Sequence, residues 1–282
     1  MSLEYVTYEK KGKTAVLTLN RPDKHNALNE PLLTDFDAAL KAAEEDTEIG
    51  VVVIKGAGKS FCAGYDLNGD ETSDPAYDWR NKPMMHDLYT RQARRQDRIE
   101  NLAKFPKPTI AQIQGQCLEG GCSIMMACDF AYAVEDAIFG DPSVRMGMCT
   151  DLPLWYYLIG IKRAKELLLT GRTIDAQEAQ RIGMISKAVS ANEIEAEVEK
   201  MVQVLLASPT DSLRNNREAF HAALDSRGLS AGFRFAKDMR VFSVLQRPGS
   251  RPREFNFFET RDQKGFKAAC EEMNAPFKKI GY

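Results

Sequence analysis

The stretch that most constrains the fold runs from Pro106 to Asp129: Pro-Lys-Pro-Thr-Ile-Ala-Gln-Ile-Gln-Gly-Gln-Cys-Leu-Glu-Gly-Gly-Cys-Ser-Ile-Met-Met-Ala-Cys-Asp. Pro106 and Pro108 end whatever precedes them, because proline lacks an N–H and disfavours helix in the residue before it. Thr109 to Ile113 then alternates like a short buried strand, and Gly115 releases the chain into a turn. Gly120-Gly121 opens an apolar run, Cys122 to Cys128, that suits a buried helix. A strand, a glycine turn and a helix start leave free backbone N–H groups at the positive helix terminus. Such a terminus holds an anion or a developing oxyanion, and glycine keeps the approach to the backbone open. The same run also serves as a tight turn that packs helix against strand, and the stretch alone does not choose.

Around this stretch the pattern alternates strand and helix. Residues 4 to 10 and 14 to 20 alternate like paired strands about Lys11-Gly12. Asn29 with Pro31 starts a helix carrying Leu32, Leu33, Phe36 and Leu40 on one face. A strand is expected at 51 to 55, a long helix from Met84 to Lys104, and strands at Phe130 to Ala133 and Ala137 to Phe139. Asp141 to Asp151 reads as a loop, and Leu154 to Leu158 begins another helix. Further helices are expected at 164–169, 176–181, 194–206, 210–224, 229–246 and 262–273. The fold class is therefore α/β: a core in residues 1–206, then a helical region in residues 207–282.

Composition excludes several classes. Charged residues make up 28% of the chain and the net charge is −2, so no global field favours nucleic acid or a membrane. No apolar run approaches the roughly 20 residues of a membrane span, and the opening Met-Ser-Leu-Glu-Tyr lacks the shape of a signal peptide. The six cysteines include no Cys-x-x-Cys pair, which suits free thiols in a reducing, cytoplasmic compartment better than disulfides or zinc. The three histidines, His25, His86 and His221, have no metal-ligand spacing, so no metal is expected. Gly56-Ala-Gly-Lys-Ser60 looks like part of a phosphate-binding P-loop. Its first glycine would have to be at Val53, however, and no helix follows.

A second stretch, Gly58-Lys-Ser-Phe-Cys-Ala-Gly-Tyr-Asp-Leu67, follows the apolar run Val51 to Ile54. Together with the Gly-Gly-Cys turn and Cys128-Asp129, it resembles the crotonase (enoyl-CoA hydratase/isomerase) superfamily. Further matches occur in order: Asn20-Arg21-Pro22, Asn26-Ala27-Leu28, Ala137 to Gly140, Leu167 to Gly171, Ala176 to Ala179, Ile182-Gly183 and Gly265 to Ala268. The likeness spans about residues 3 to 277, and spaced motifs in one order are more specific than any single one. It implies a spiral of ββα repeats with C-terminal helices that trimerise, giving a homotrimer or a hexamer made as a dimer of trimers. Phe233, Phe235, Val241, Phe242 and Leu245 would supply the apolar face.

The resemblance also implies a chemistry, that of the acyl-CoA conversions of fatty acid metabolism. Crotonases polarise an acyl-CoA thioester carbonyl with two backbone N–H groups, at positions matching Tyr65 and Gly120. Enolate charge grows on that oxygen, and preorganised donors stabilise it without reorganisation. The CoA moiety, part of the substrate rather than a separate cofactor, would lie along Lys24, Ala27 and the turn Ala63, Gly64, Asp66 and Leu67. Lys59 is a further phosphate candidate. The segment Asn68 to Pro83 would border the acyl pocket, with Tyr77 and Trp79 either facing the acyl group or pinning a surface loop. Arg91, Arg94, Arg95 and Arg98 form a stripe read as a solvated face, with CoA phosphates or a neighbouring subunit as alternatives.

The departures narrow the reaction. Hydratases of this family use two glutamates, and the matching positions here are Ser123 and Ser143. A lone hydroxyl is not a general base near neutral pH, so both serines read as space-fillers or as groups orienting a water or a substrate oxygen. Asp151 is in register with the catalytic aspartate of dienoyl-CoA isomerases and the nucleophilic aspartate of 4-chlorobenzoyl-CoA dehalogenases. The latter also need a histidine where this chain has Gln96. Asp151 equally suits a helix cap. Glu119 occupies the slot of the first glycine in a triple-glycine run, and its direction is not legible. The expected activity is an isomerase or atypical hydratase (a lyase) with Asp151 as acid or base. A hydrolase or dehalogenase, and a non-catalytic acyl-CoA binder, are the alternatives.

Overall fold

The computed structural model describes residues 3–68, 83–150, 154–245 and 255–282. Asp151, Tyr77, Trp79 and the run 246–254 lie outside the described residues. Strands β1 (Val6–Lys11) and β2 (Thr14–Leu19) pair antiparallel, Val6 opposite Leu19 and Lys11 opposite Thr14. From β2 onward one path repeats: a strand in a large sheet, a short extended segment in a second layer, then a helix. The first turn runs from β2 through Leu28 to α1 (Glu30–Glu45). The second runs from β3 (Val51–Gly56) through Cys62 and Tyr65 to α2 (Met85–Ala103).

The third turn is β4 (Thr109–Ile113), β5 (Gln116–Leu118) and α3 (Gly120–Ala127). The fourth is β6 (Phe130–Val134), β7 (Ile138–Gly140) and α4 (Leu154–Thr170). Then follow β8 (Ile174–Asp175), α5 (Ala176–Arg181), β9 (Lys187–Val189) and α6 (Ile194–Ala207). The large sheet is ordered β1-β2-β3-β4-β6-β9 and is parallel beyond the first pair. The second layer is ordered β5-β7-β8, and bridges Cys62–Cys117 and Leu28–Tyr65 extend it. This is the expected crotonase spiral.

Local chemistry accounts for the elements. Val51 to Ile54 are buried on both faces, as a central parallel strand requires. Asn29 caps α1 by accepting the Leu32 N–H at 3.1 Å, and Leu32, Phe36, Ala39 and Ala43 form the buried stripe. The core is continuous and includes fully buried Phe36, Phe61, Phe139 and Trp155. The helices expected at 154–158 and 164–169 are the two parts of α4, separated at Gly160, which has φ 76°. One expectation needs correction. The helix expected at 262–273 is two, α9 (Phe257–Lys264) and α10 (Phe266–Lys279), separated at Gly265 with φ 89°.

The C-terminal helices reach back to the core. Helices α7 (Thr210–Ser226) and α8 (Leu229–Leu245) follow α6, and α8 packs on α2. Helix α10 packs on the 3-10 turn Pro142–Met146. Of the residues expected on an assembly face, Phe233 and Val241 are buried within the chain, whereas Phe235 and Phe242 are exposed.

Candidate active site

The two segments singled out in the sequence meet at the rim of the second layer. The turn after β3 lies beside β5 because Cys62 N–H donates to Gln116 O at 3.0 Å and Leu118 N–H to Cys62 O at 2.9 Å. Asn26, fully buried, braces this turn from the other side: its Nδ2 donates to Ala57 O at 2.9 Å and Ser60 O at 2.8 Å. Arg21 pairs with Asp66 at 3.0 Å, both buried, so Asp66 secures the turn as well as lining the cavity. Arg21, Asn26 and Asp66, all within the motifs quoted above, thus share one bracing role.

With the turns so fixed, Tyr65 N–H and Gly120 N–H point at one oxygen. They donate to Oε2 of Glu119 at 3.0 Å and 2.8 Å. Gly120 is the first residue of α3, where an N–H has no partner in the helix ladder. Two such donors converging on an anionic oxygen at a helix start make an oxyanion cradle. Space for the carboxylate depends on Gly64, with φ 96°, where a Cβ would lie 2.9 Å from Glu119 Cβ and 3.0 Å from Oε2. Glu119 itself has φ 45° and ψ −111°, a conformation suited to glycine that costs other residues about 1–3 kcal/mol.

Oε1 of Glu119 accepts from Arg240 Nη2 at 3.0 Å. Arg240, on α8, is 1% exposed and also donates through Nη1 to Cys149 O at 2.6 Å and Ser143 Oγ at 3.4 Å. Ser143 is fully buried in a turn capped by Asp141. Ser123 is buried one turn into α3, and its hydroxyl donates to Glu119 O at 3.2 Å. The structure thus brings Tyr65, Gly120, Ser123 and Ser143 around one carboxylate and one guanidinium.

A cavity of about 1170 Å³ opens from this point and is lined by Lys24, Ala27, Ala63, Tyr65, Asp66, Leu67 and Glu119, among others. Arg145 and Arg172 add positive charge to its wall, and Phe257, Phe266 and Met273 close it from α9 and α10. Lys59 is exposed and is not among the lining residues. Burial pushes the Cys62 thiol up to about 12 and Cys117 well above its ordinary value, so neither is a thiolate nucleophile.

The arginine stripe of α2 is not one solvated face, which corrects the reading from spacing alone. Arg94 is exposed, but Arg95 is buried with its guanidinium 3.9 Å from the Tyr65 ring centroid. Arg98 pairs with Asp37 at 2.7 Å and Glu30 at 2.6 Å. The buried charge at this site that the sequence reading missed is Arg240. Its signal was a charge in register with Phe233 and Val241 on the buried side of α8.

A sequence profile described as enoyl-CoA hydratase/isomerase matches residues 9–267. A probable mitochondrial enoyl-CoA hydratase of Dictyostelium discoideum is 34% identical over 275 residues, covering 96% of this chain and 89% of that one. A short-chain-enoyl-CoA hydratase of Clostridium acetobutylicum is 32% identical over 233 residues, covering 79% and 84%. The crystal structure of an enoyl-CoA hydratase/isomerase from Xanthobacter autotrophicus Py2 superposes with a TM-score of 0.88 at 29% identity, covering 98% of this chain and 99% of that one. The fold and the cradle therefore define a crotonase-superfamily protein. Within that superfamily the chain belongs to the enoyl-CoA hydratase/isomerase family.

Proposed function

We propose that this protein converts acyl-CoA thioesters by stabilising an enolate between Tyr65 N–H and Gly120 N–H. The observation carrying the reading is that both N–H groups converge on one oxygen, Glu119 Oε2, at 3.0 Å and 2.8 Å. The thioester oxygen takes that position in the complex. The CoA moiety runs through the cavity past Lys24, Ala27, Ala63 and Leu67, with Gly64 and Asp66 shaping the turn beneath it. The reaction is double-bond isomerisation, or an atypical hydration, with Asp151 as acid or base. Ser123 and Ser143 in place of two glutamates support this over ordinary two-glutamate hydration.

The test is NMR in deuterated water with saturated, 2-enoyl and 3-enoyl CoA thioesters. Deuterium is expected at the acyl α carbon with wild-type protein. A folded protein that binds CoA yet exchanges no thioester overturns the catalytic reading. That outcome is what a binding-only relative would give, a second reading favoured by the carboxylate already filling the cradle.

A homotrimer, or a hexamer of two trimers, completes the proposal. On α8, Phe235, Met239 and Phe242 follow one another at helical spacing and are 65%, 36% and 49% exposed in the single chain. An apolar stripe of this kind suits a second copy. Light scattering is expected to give a mass of three or six chains, and a monomer at micromolar concentration contradicts it.

A further inference from the structure

Glu119 stands where the substrate oxygen belongs. Its Oε2 holds both cradle donors, and its Oε1 is held by a guanidinium that also ties down the chain at Cys149. A helix cap alone does not require this arrangement. A shorter Asp or Ser caps α3 without reaching Tyr65 N–H, and Glu119 adopts a glycine conformation at φ 45° to do so. Gly64 carries no Cβ where one would press on that same carboxylate. Placement against local preference, with the surroundings cut to fit, points to a role in the site rather than in packing.

We propose that Glu119 is a catalytic base released by the substrate. The inference rests on the enolate reading above. When the thioester oxygen enters the cradle it takes the two N–H groups from Oε2. Arg240 keeps hold of Oε1, so Oε2 stays beside the acyl group. Oε2 then takes a proton from the acyl α carbon. The C–H bond breaks, its electron pair forms the enolate C=C as the thioester C=O electrons move onto the cradled oxygen, and an O–H bond forms on Glu119. The proton returns to carbon or exchanges with water. Substrate binding and release of the base are thereby one event. The serines at 123 and 143 then need supply no base. Of the other carboxylates near the cradle, Asp66 is engaged by Arg21.

Glu119→Gln separates this role from a structural one. The amide is isosteric but holds the cradle donors less strongly than a carboxylate does, because charge-assisted hydrogen bonds are the stronger kind. Acyl-CoA should therefore bind about tenfold more tightly by calorimetry, the difference between one charged and one neutral hydrogen bond, with affinity for CoA alone unchanged. Exchange of α protons should fall by roughly 10²–10⁴, the usual worth of a general base. Tighter binding with slower exchange is not what a disturbed fold produces. Wild-type exchange in the folded variant, or acyl-CoA binding no tighter than wild type, overturns the proposal. If the Gln variant does not fold, Glu119→Asp, one methylene short of the cradle yet charged beside Arg240, should show the same two shifts. A wild-type protein that exchanges no thioester would instead remove the enolate reading itself.

Discussion

Gly120→Pro is expected to lower kcat on an active acyl-CoA by about 10²–10³ relative to Gly120→Ala, with CoA affinity retained. The comparison removes one hydrogen-bond donor, and the strain that proline places on Glu119 before it is read from the melt of each variant. Gly120 is the first residue of α3, and its N–H donates to Glu119 Oε2 at 2.8 Å rather than to the helix ladder. Proline is favoured at a first helical position because its missing N–H is one the helix does not use. Either substitution adds a Cβ that would lie 2.7 Å from Leu28 Cδ1 and 3.2 Å from Tyr65 Cε2. Alanine therefore reports the crowding, and proline reports crowding plus loss of the donor. Loss of an oxyanion donor costs about 2.7–4 kcal/mol of barrier, which is the expected ratio between the two variants. A melt beside each assay confirms that both remain folded. A folded proline variant as fast as the alanine variant removes Gly120 N–H from the reaction.

The cradle was legible in the sequence because backbone groups need only turns, and turns are written in glycines and prolines. Gly115 and Gly120 mark the helix start in the sequence, whereas the pairing of Gly120 N–H with Tyr65 N–H comes from the family resemblance. The alternation of strand and helix gives an α/β core with a helical C-terminal region because periodicity is local, and the spiral path comes from the family resemblance. What escaped was long-range. Arg240 lies 121 positions from Glu119, and no local pattern announces that a charge on the buried side of α8 will meet a carboxylate at the start of α3. Arg95 misled in the opposite direction. Helical spacing with Arg91, Arg94 and Arg98 grouped it into one basic face, but that face curves from solvent into the contact with Tyr65. The break at Gly265 was missed because apolar periodicity alone did not reveal that this glycine separates two helices.

Asp151→Asn is expected to slow net double-bond isomerisation by roughly 10²–10⁴ while leaving both the melting temperature and α-proton exchange near wild type. Moving a double bond along an acyl chain requires protons at two carbons, and two acids divide that work most simply. On the proposed reading Glu119, released into the acyl end, would serve the α carbon, and Asp151 the more distant one. Cys149, two residues earlier, gives its carbonyl to the Arg240 guanidinium that holds Glu119, and Leu154, three residues later, opens α4. Asparagine caps a helix about as well as aspartate, so a stability change should be absent. A purely structural Asp151 behaves differently: Asp151→Ala then costs about 1 kcal/mol of stability and leaves turnover of the folded protein intact. A nucleophilic Asp151 is distinguished by rapid quench of the wild type, which then traps acyl label on the protein, because an acyl-enzyme forms only if the carboxylate attacks carbon. Isomerisation lost, exchange kept and no trapped label together assign Asp151 to proton transfer at the far carbon. Wild-type isomerisation by folded Asp151→Asn removes it from the chemistry and leaves Glu119 to serve both carbons.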